Sequence, residues 1–186
     1  MKQFWNIVSV ALFSASLVLW EPSSAKACGP KIEIRFFESS DGDLFEVINA
    51  SQEPWLISSL IISLYGSSGG LIFDTASGGS GASMYAPLEV VTGDVGFMGA
   101  SAVEDGSETV SLQFSNFSPG KMFLFAVDVD DRLEDSDFGQ AVISGPELEG
   151  ARASAELQMP DGRKARAKGI FGDNAVARLG DGGLCV

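Results

Sequence analysis

Apolar and polar positions alternate with a period of two along most of this chain. The segments KIEIRFFE (31–38), DLFEVIN (43–49), SSLIISLYG (58–66), LIFD (71–74), ETVSLQFS (108–115), KMFLFAVDVD (121–130), RASAELQM (152–159) and AVARL (175–179) each read as a strand. Between them lie SSDGD, GSSGG, ASGGSGAS, VEDGS, SPG and MPDGRK, all of turn composition. No segment carries a long apolar stripe at helical spacing, and DFGQAVISGPELEGARA (137–153) has room for a turn or two of helix. Short strands joined by Gly-rich connections predict an all-β fold, an antiparallel β-sandwich or jelly roll built as a single domain from residues 28–186.

One strand changes character along its length. From Lys121, residues Phe123, Phe125, Val127 and Val129 share one face, and Met122, Leu124 and Ala126 share the other. Apolar residues on both faces predict a central strand. Asp128 and Asp130 then take over the second face, about 7 Å apart, which predicts that the strand leaves the core there. They open a run with six carboxylates in ten residues, 128–137.

Like charges this close repel unless a cation, an arginine or water relieves them, and only Arg132 is near in sequence. Asp128, Asp130, Asp131, Asp135 and Asp137 offer the hard oxygens that Ca²⁺ takes in groups of about six to eight. Asp74 ends a second strand and can join them, and Glu38, Asp41 and Asp43 in the ESSDGD turn are possible additional ligands. An EF-hand starting at Asp128 fails, because Arg132 falls on a ligand position and Leu133 where Gly is required. The alternative is a solvated acidic loop that keeps the protein soluble.

Catalysis has less support. Neighbouring carboxylates on one strand point the same way and do not flank a sugar, and a chain with no histidine has no Ser-His-Asp or Cys-His site. No catalytic residue is assigned; a carbohydrate-binding module or a small exported glycan-acting enzyme is the alternative function. The Gly-rich SSGGLIFDTASGGSGAS has no Lys and no helix signal for a phosphate, and reads as a long surface loop needing positive φ. Trp55 at a strand start reads as core, with sugar stacking as the alternative.

Composition places these elements in a compartment. Lys2, an apolar run from Trp5 to Trp20, and Ala25 and Ala27 before Cys28 predict a secretory signal peptide over residues 1–27, with a retained N-terminal anchor as the alternative. No second hydrophobic stretch follows, so no membrane span is expected after cleavage, and the product is expected in the periplasm or outside the cell. Cys28 and Cys185 are the only cysteines, and export predicts a disulfide between them, with free thiols as the alternative. The formal charge is -13, and it becomes -14 once Lys2, Lys26 and Glu21 are removed; nucleic acid is not an expected partner. No Lys or Arg occurs from Phe36 to Gly120, whereas Arg163, Lys164, Arg166, Lys168 and Arg178 cluster near the end. That cluster reads as a solvated strand face, or as a patch that docks acidic partners or another copy.

Several segments together resemble a known group. FFESSDGDLFEVINASQEPWLISSLIISLYGSSGGLIFD, VDVDD (127–131) and GQAVISGPELEGA are similar to secreted bacterial proteins labelled aggregation-factor core proteins, after a sponge adhesion proteoglycan. The resemblance runs from Phe36 to about Ala151, through Glu38, Asp43, Phe45, Asn49, Asp74, VDVDD, Gly139 and Gln140. It implies calcium-dependent adhesion, a carbohydrate-bearing matrix and no enzyme activity. Ser63 stands where the group's pattern carries an Asp, which removes one carboxylate. The expected function is a secreted calcium-binding module in cell-surface adhesion or matrix association. Its partner would be a surface or matrix glycan or protein, or a second copy.

Overall fold

A computed structural model describes residues 29–180, apart from 53, 83 and 137–138. The signal peptide, Cys28, Cys185 and Asp137 lie outside the described residues.

The fold is all-β and antiparallel, as the alternation predicts. The strands are β1 (Lys31–Phe37), β2 (Leu44–Asn49), β3 (Leu56–Ser63), β4 (Ile72–Phe73), β5 (Glu89–Thr92), β6 (Phe97–Ala100), β7 (Thr109–Phe117), β8 (Met122–Ala126), β9 (Val129–Asp130), β10 (Arg152–Gln158), β11 (Lys164–Ile170) and β12 (Val176–Gly180). Ten of them form one sheet in the order β5-β8-β2-β1-β12-β11-β10-β3-β7-β6, and β4 pairs with β9 in a separate two-stranded ribbon. The short helix α1 (Gly145–Leu148) starts with a capping box, Ser144 with Glu147, that satisfies the first backbone donors.

The large sheet curls over on itself, and the alternating residues of its strands fill the space inside. Ile32 and Ile34 of β1, Phe45 and Val47 of β2, Leu60 and Ile62 of β3, Val110 and Leu112 of β7, and Phe123 and Phe125 of β8 are all buried. Phe97 of β6 stacks on Phe123 of β8 with centroids 5.1 Å apart, although these strands lie near opposite ends of the sheet order. Four residues, Gly93–Gly96, link β5 to β6, and their backbone reaches β7 through the N–H groups of Ser115 and Asn116. Inside, the Asn49 amide donates to the carbonyls of Trp55 (2.7 Å) and Phe117 (2.9 Å), tying β2 to the start of β3 and the end of β7. Trp55 is buried core.

Two expectations need correction. KMFLFAVDVD is not one strand: the chain leaves β8 after Ala126 and resumes as β9 at Val129, where it pairs with β4. The switch has a visible cause, since the Asp43 carboxylate takes the Val129 N–H (3.0 Å) and Asp128 N–H turns to the carbonyl of Ala86 (3.1 Å). Nor does the chain leave the core at Asp128, because Asp128, Asp130 and Asp131 are all buried.

Candidate metal centre

The β4–β9 ribbon sets the geometry of the site. Its register pairs Ile72 with Asp130 and Phe73 with Val129, and Asp74 N–H donates to the Asp128 carbonyl (3.0 Å). Asp74 therefore stands opposite Asp128 and diagonal to Asp130. Alternation puts Asp128 and Asp130 on one face of the ribbon, and like charges directly opposite one another destabilise a strand pair. Asp74, Asp128 and Asp130 each bring a carboxylate oxygen to within 4.8 Å of the others.

The environment offers these charges little relief. Asp74 and Asp130 are 0 % exposed and Asp128 6 %. Both oxygens of Asp74, Oδ2 of Asp128 and Oδ1 of Asp130 are buried without a hydrogen-bond partner. Asp130 Oδ2 accepts from the backbone N–H of Ala82. Arg132, the nearest cation in sequence, is committed elsewhere: it pairs with Glu108 (2.5 Å) and donates to the Gly70 carbonyl (3.0 Å). None of the ion pairs among the described residues includes a carboxylate of this group.

The acidities follow from this placement. Burial pushes Asp74 up to about 7, helped by the carboxyls of Asp105 and Asp130 beside it. Burial, then the charges of Asp74 and Glu38, raise Asp128 to about 6. Asp130 is raised mainly by burial, against the Ala82 N–H. Without a cation, a proton shared with a neighbouring carboxyl is the relief open to Asp74.

The Gly-rich segment is not merely a surface loop. Asp105 accepts the N–H groups of Thr75 (3.1 Å), Ala76 (3.3 Å) and Ser80 (2.7 Å), and the Ser80 and Thr75 donors, with the Asp74 carboxyl beside them, hold its carboxyl down at about 2. Anchored in this way, the segment lies over the cluster. A Cβ at Gly81 would collide with the carboxylates of Asp130 and Asp74, so only glycine lets the backbone approach this closely. At Gly81 the requirement is space for the carboxylates; at Gly78 it is a positive φ of 69°.

The remaining sequence candidates are placed around this group. Asp131 is buried next to Asp130, with Oδ1 accepting Leu133 N–H (2.8 Å) and Oδ2 unpartnered. Asp43 is buried and spent on backbone, taking Ser39 N–H (3.2 Å) and Val129 N–H; burial and then Glu38 push it up to about 9. Glu38 accepts Ile143 N–H (2.7 Å). Asp41 and Asp135 are exposed and stand outside the three-residue group. Sequence reasoning missed Asp105 and Gly81; VEDGS read only as a turn, and nothing local shows that a loop glycine touches a carboxylate.

A donor set of buried carboxylate oxygens, with orphaned lone pairs and no histidine, can hold a hard metal ion. The class so defined is an all-β protein with a buried three-aspartate group. No family model matches the chain, and no curated protein or solved structure matches it significantly.

Proposed function

We propose that this chain is an exported β-sandwich module that binds Ca²⁺ through Asp74, Asp128 and Asp130 and acts in cell-surface adhesion or matrix association. One observation carries the metal half: four carboxylate oxygens of this trio are buried with no donor to meet them. Leaving buried charges unpaired costs several kcal/mol, about enough to unfold a marginal domain, and a divalent cation removes that cost. An all-oxygen donor set favours Ca²⁺ over zinc, and burial favours it over Mg²⁺, which prefers to keep its water. Asp131 Oδ2, also buried and unpartnered, is a candidate for a further ligand. Full burial supports a structural ion, one that clamps β4, β9 and the Gly-rich segment together, over an ion presented to a partner. It also leaves the trio out of reach of a polysaccharide's glycosidic bond, which supports a binding module over a hydrolase.

The adhesion half draws on the predicted export signal and on the resemblance to aggregation-factor core proteins. Calorimetric titration of the mature protein with CaCl₂ tests the metal half. Heat is expected for the wild type and none for Asp128→Asn combined with Asp130→Asn. No heat and no melting shift at millimolar calcium would leave these residues a proton-sharing group without an ion.

A further inference from the structure

The outer face of the sheet carries a second feature, built from none of the cation-site residues. Outward side chains of β3, β10 and β11 enclose a hollow of about 710 Å³, lined by Ile61, Ser63, Arg152, Ser154, Lys168 and Ile170. The register puts them in rows: Arg152 sits between Ser63 and Ile170, and Ser154 between Ile61 and Lys168. Further along the same three strands a second hollow of about 410 Å³ is lined by Ser58, Gln158, Lys164 and Arg166, among others. The two lie end to end on one face, along a β10 strand about 20 Å long.

The charge of this face is out of keeping with the molecule. The whole chain carries -13, yet this face is basic. Among the described residues, Lys31, Arg152, Lys164 and Lys168 form no ion pair, and three of these four stand here. Arg166 is held by Glu156 at 2.5 Å. Ile61 and Ile170 are 40 % and 61 % exposed, leaving an aliphatic surface between the cations.

We propose that this face binds a linear carboxylate-bearing polysaccharide, a polyuronate, through Arg152 and Lys168. A hollow that is long and open suits a polymer. The serine hydroxyls and the Gln158 amide match sugar hydroxyls, the isoleucines match the C–H faces of the rings, and the Arg152 fork matches a planar carboxylate. Charge density decides against nucleic acid. A single strand carries a phosphate about every 3.4 Å, whereas Lys164 and Lys168 stand about 13 Å apart on β11. Sparse cations match a polymer with one charge on each sugar.

The inference deepens the matrix-association reading by naming the partner's chemistry, and it stands apart from calcium. Isothermal titration of the mature protein with oligogalacturonates too short to gel, in calcium and again in chelator, tests it. Binding is expected in both, weakening as NaCl rises. Arg152→Ser with Lys168→Ser should weaken it by about tenfold or more, the loss of a charge-assisted contact. Both positions are exposed, so the variant should keep the wild-type melting temperature and its calcium shift. Binding that appears in calcium alone would place the sugar at the cation and overturn the groove. Absence of binding, binding unchanged in the variant, or equal affinity for single-stranded DNA would also overturn it. So would sedimentation showing a dimer that the same substitutions dissolve, since the face would then receive the acidic segment of a second copy.

Discussion

Replacing Asp74 with asparagine should stabilise this protein when calcium is absent and weaken its response when calcium is present. Asp74 titrates near 7 in place of the usual 3.8, so the folded state holds its proton more tightly than the unfolded chain does. That difference favours folding at low pH and is lost as pH rises through about 7. At pH 8 the ionised, fully buried carboxylate costs up to about 4 kcal/mol. The amide carries no charge and donates hydrogen bonds to the carboxylates of Asp130 and Asp105, so Asp74→Asn should recover about 2 to 4 kcal/mol, or about 10 °C in melting temperature. At pH 5 the folded wild type keeps this proton while the unfolded chain has mostly lost it, so the advantage should shrink to about 1 to 2 kcal/mol, vanishing only below about pH 4. In calcium at a hundredfold excess over its Kd the wild type gains about 2.7 kcal/mol, and the variant, short of one ligand, should gain little. Differential scanning fluorimetry at pH 5 and pH 8, in EDTA and in CaCl₂ at matched ionic strength, gives the four comparisons. A variant less stable than wild type in EDTA at pH 8, or one shifted equally by calcium, would refute the reasoning.

Three further outcomes are expected. The chelated wild type should lose stability from pH 5 to pH 8 as Asp128, near 6, and Asp74, near 7, ionise against their raised pKa values; calcium should flatten that slope by displacing the protons, and a level profile in EDTA would count against the site. Gly81→Ala should lower calcium affinity about tenfold by pushing the backbone off Asp130 and breaking the Ala82 hydrogen bond; an unchanged calorimetric Kd would show that the close approach does not matter. Lys31 and Gly180 are paired across β1 and β12, and the two cysteines lie a few residues beyond them along the chain; non-reducing mass spectrometry should find the mature protein two hydrogens lighter than its reduced form, and two freely alkylated thiols would rule the bridge out.

The fold was legible wherever burial writes an alternating pattern. KIEIRFF and RASAELQ show it plainly because each has one face on the core. β5 was hidden because EVVT is exposed throughout, so nothing in it separates inside from outside. β11 was hidden because its inward residues are Ala165, Ala167 and Gly169, too small to stand out against the lysines and arginine between them. The shared face of Asp128 and Asp130 followed from strand geometry alone. Their burial did not, because it depends on β4 pairing across more than fifty residues and on a glycine segment folding over the top. Asp74 was nameable as a strand end, but its position opposite Asp128 is a matter of register between two two-residue strands, too short for a pattern to specify.

The four-residue link between β5 and β6 has a consequence for any role in a crowded matrix. A sheet's outermost strands normally present unpaired N–H and C=O groups, a template on which other chains can add and fibrils can grow. Here both outermost strands are only four residues long and joined directly to each other, so the fold offers an incoming strand little backbone to grip. Packed at high local concentration, such a protein must hold its neighbours through side chains or a shared polymer. Contacts of that kind let go when salt or ligand changes, whereas strand-to-strand growth does not.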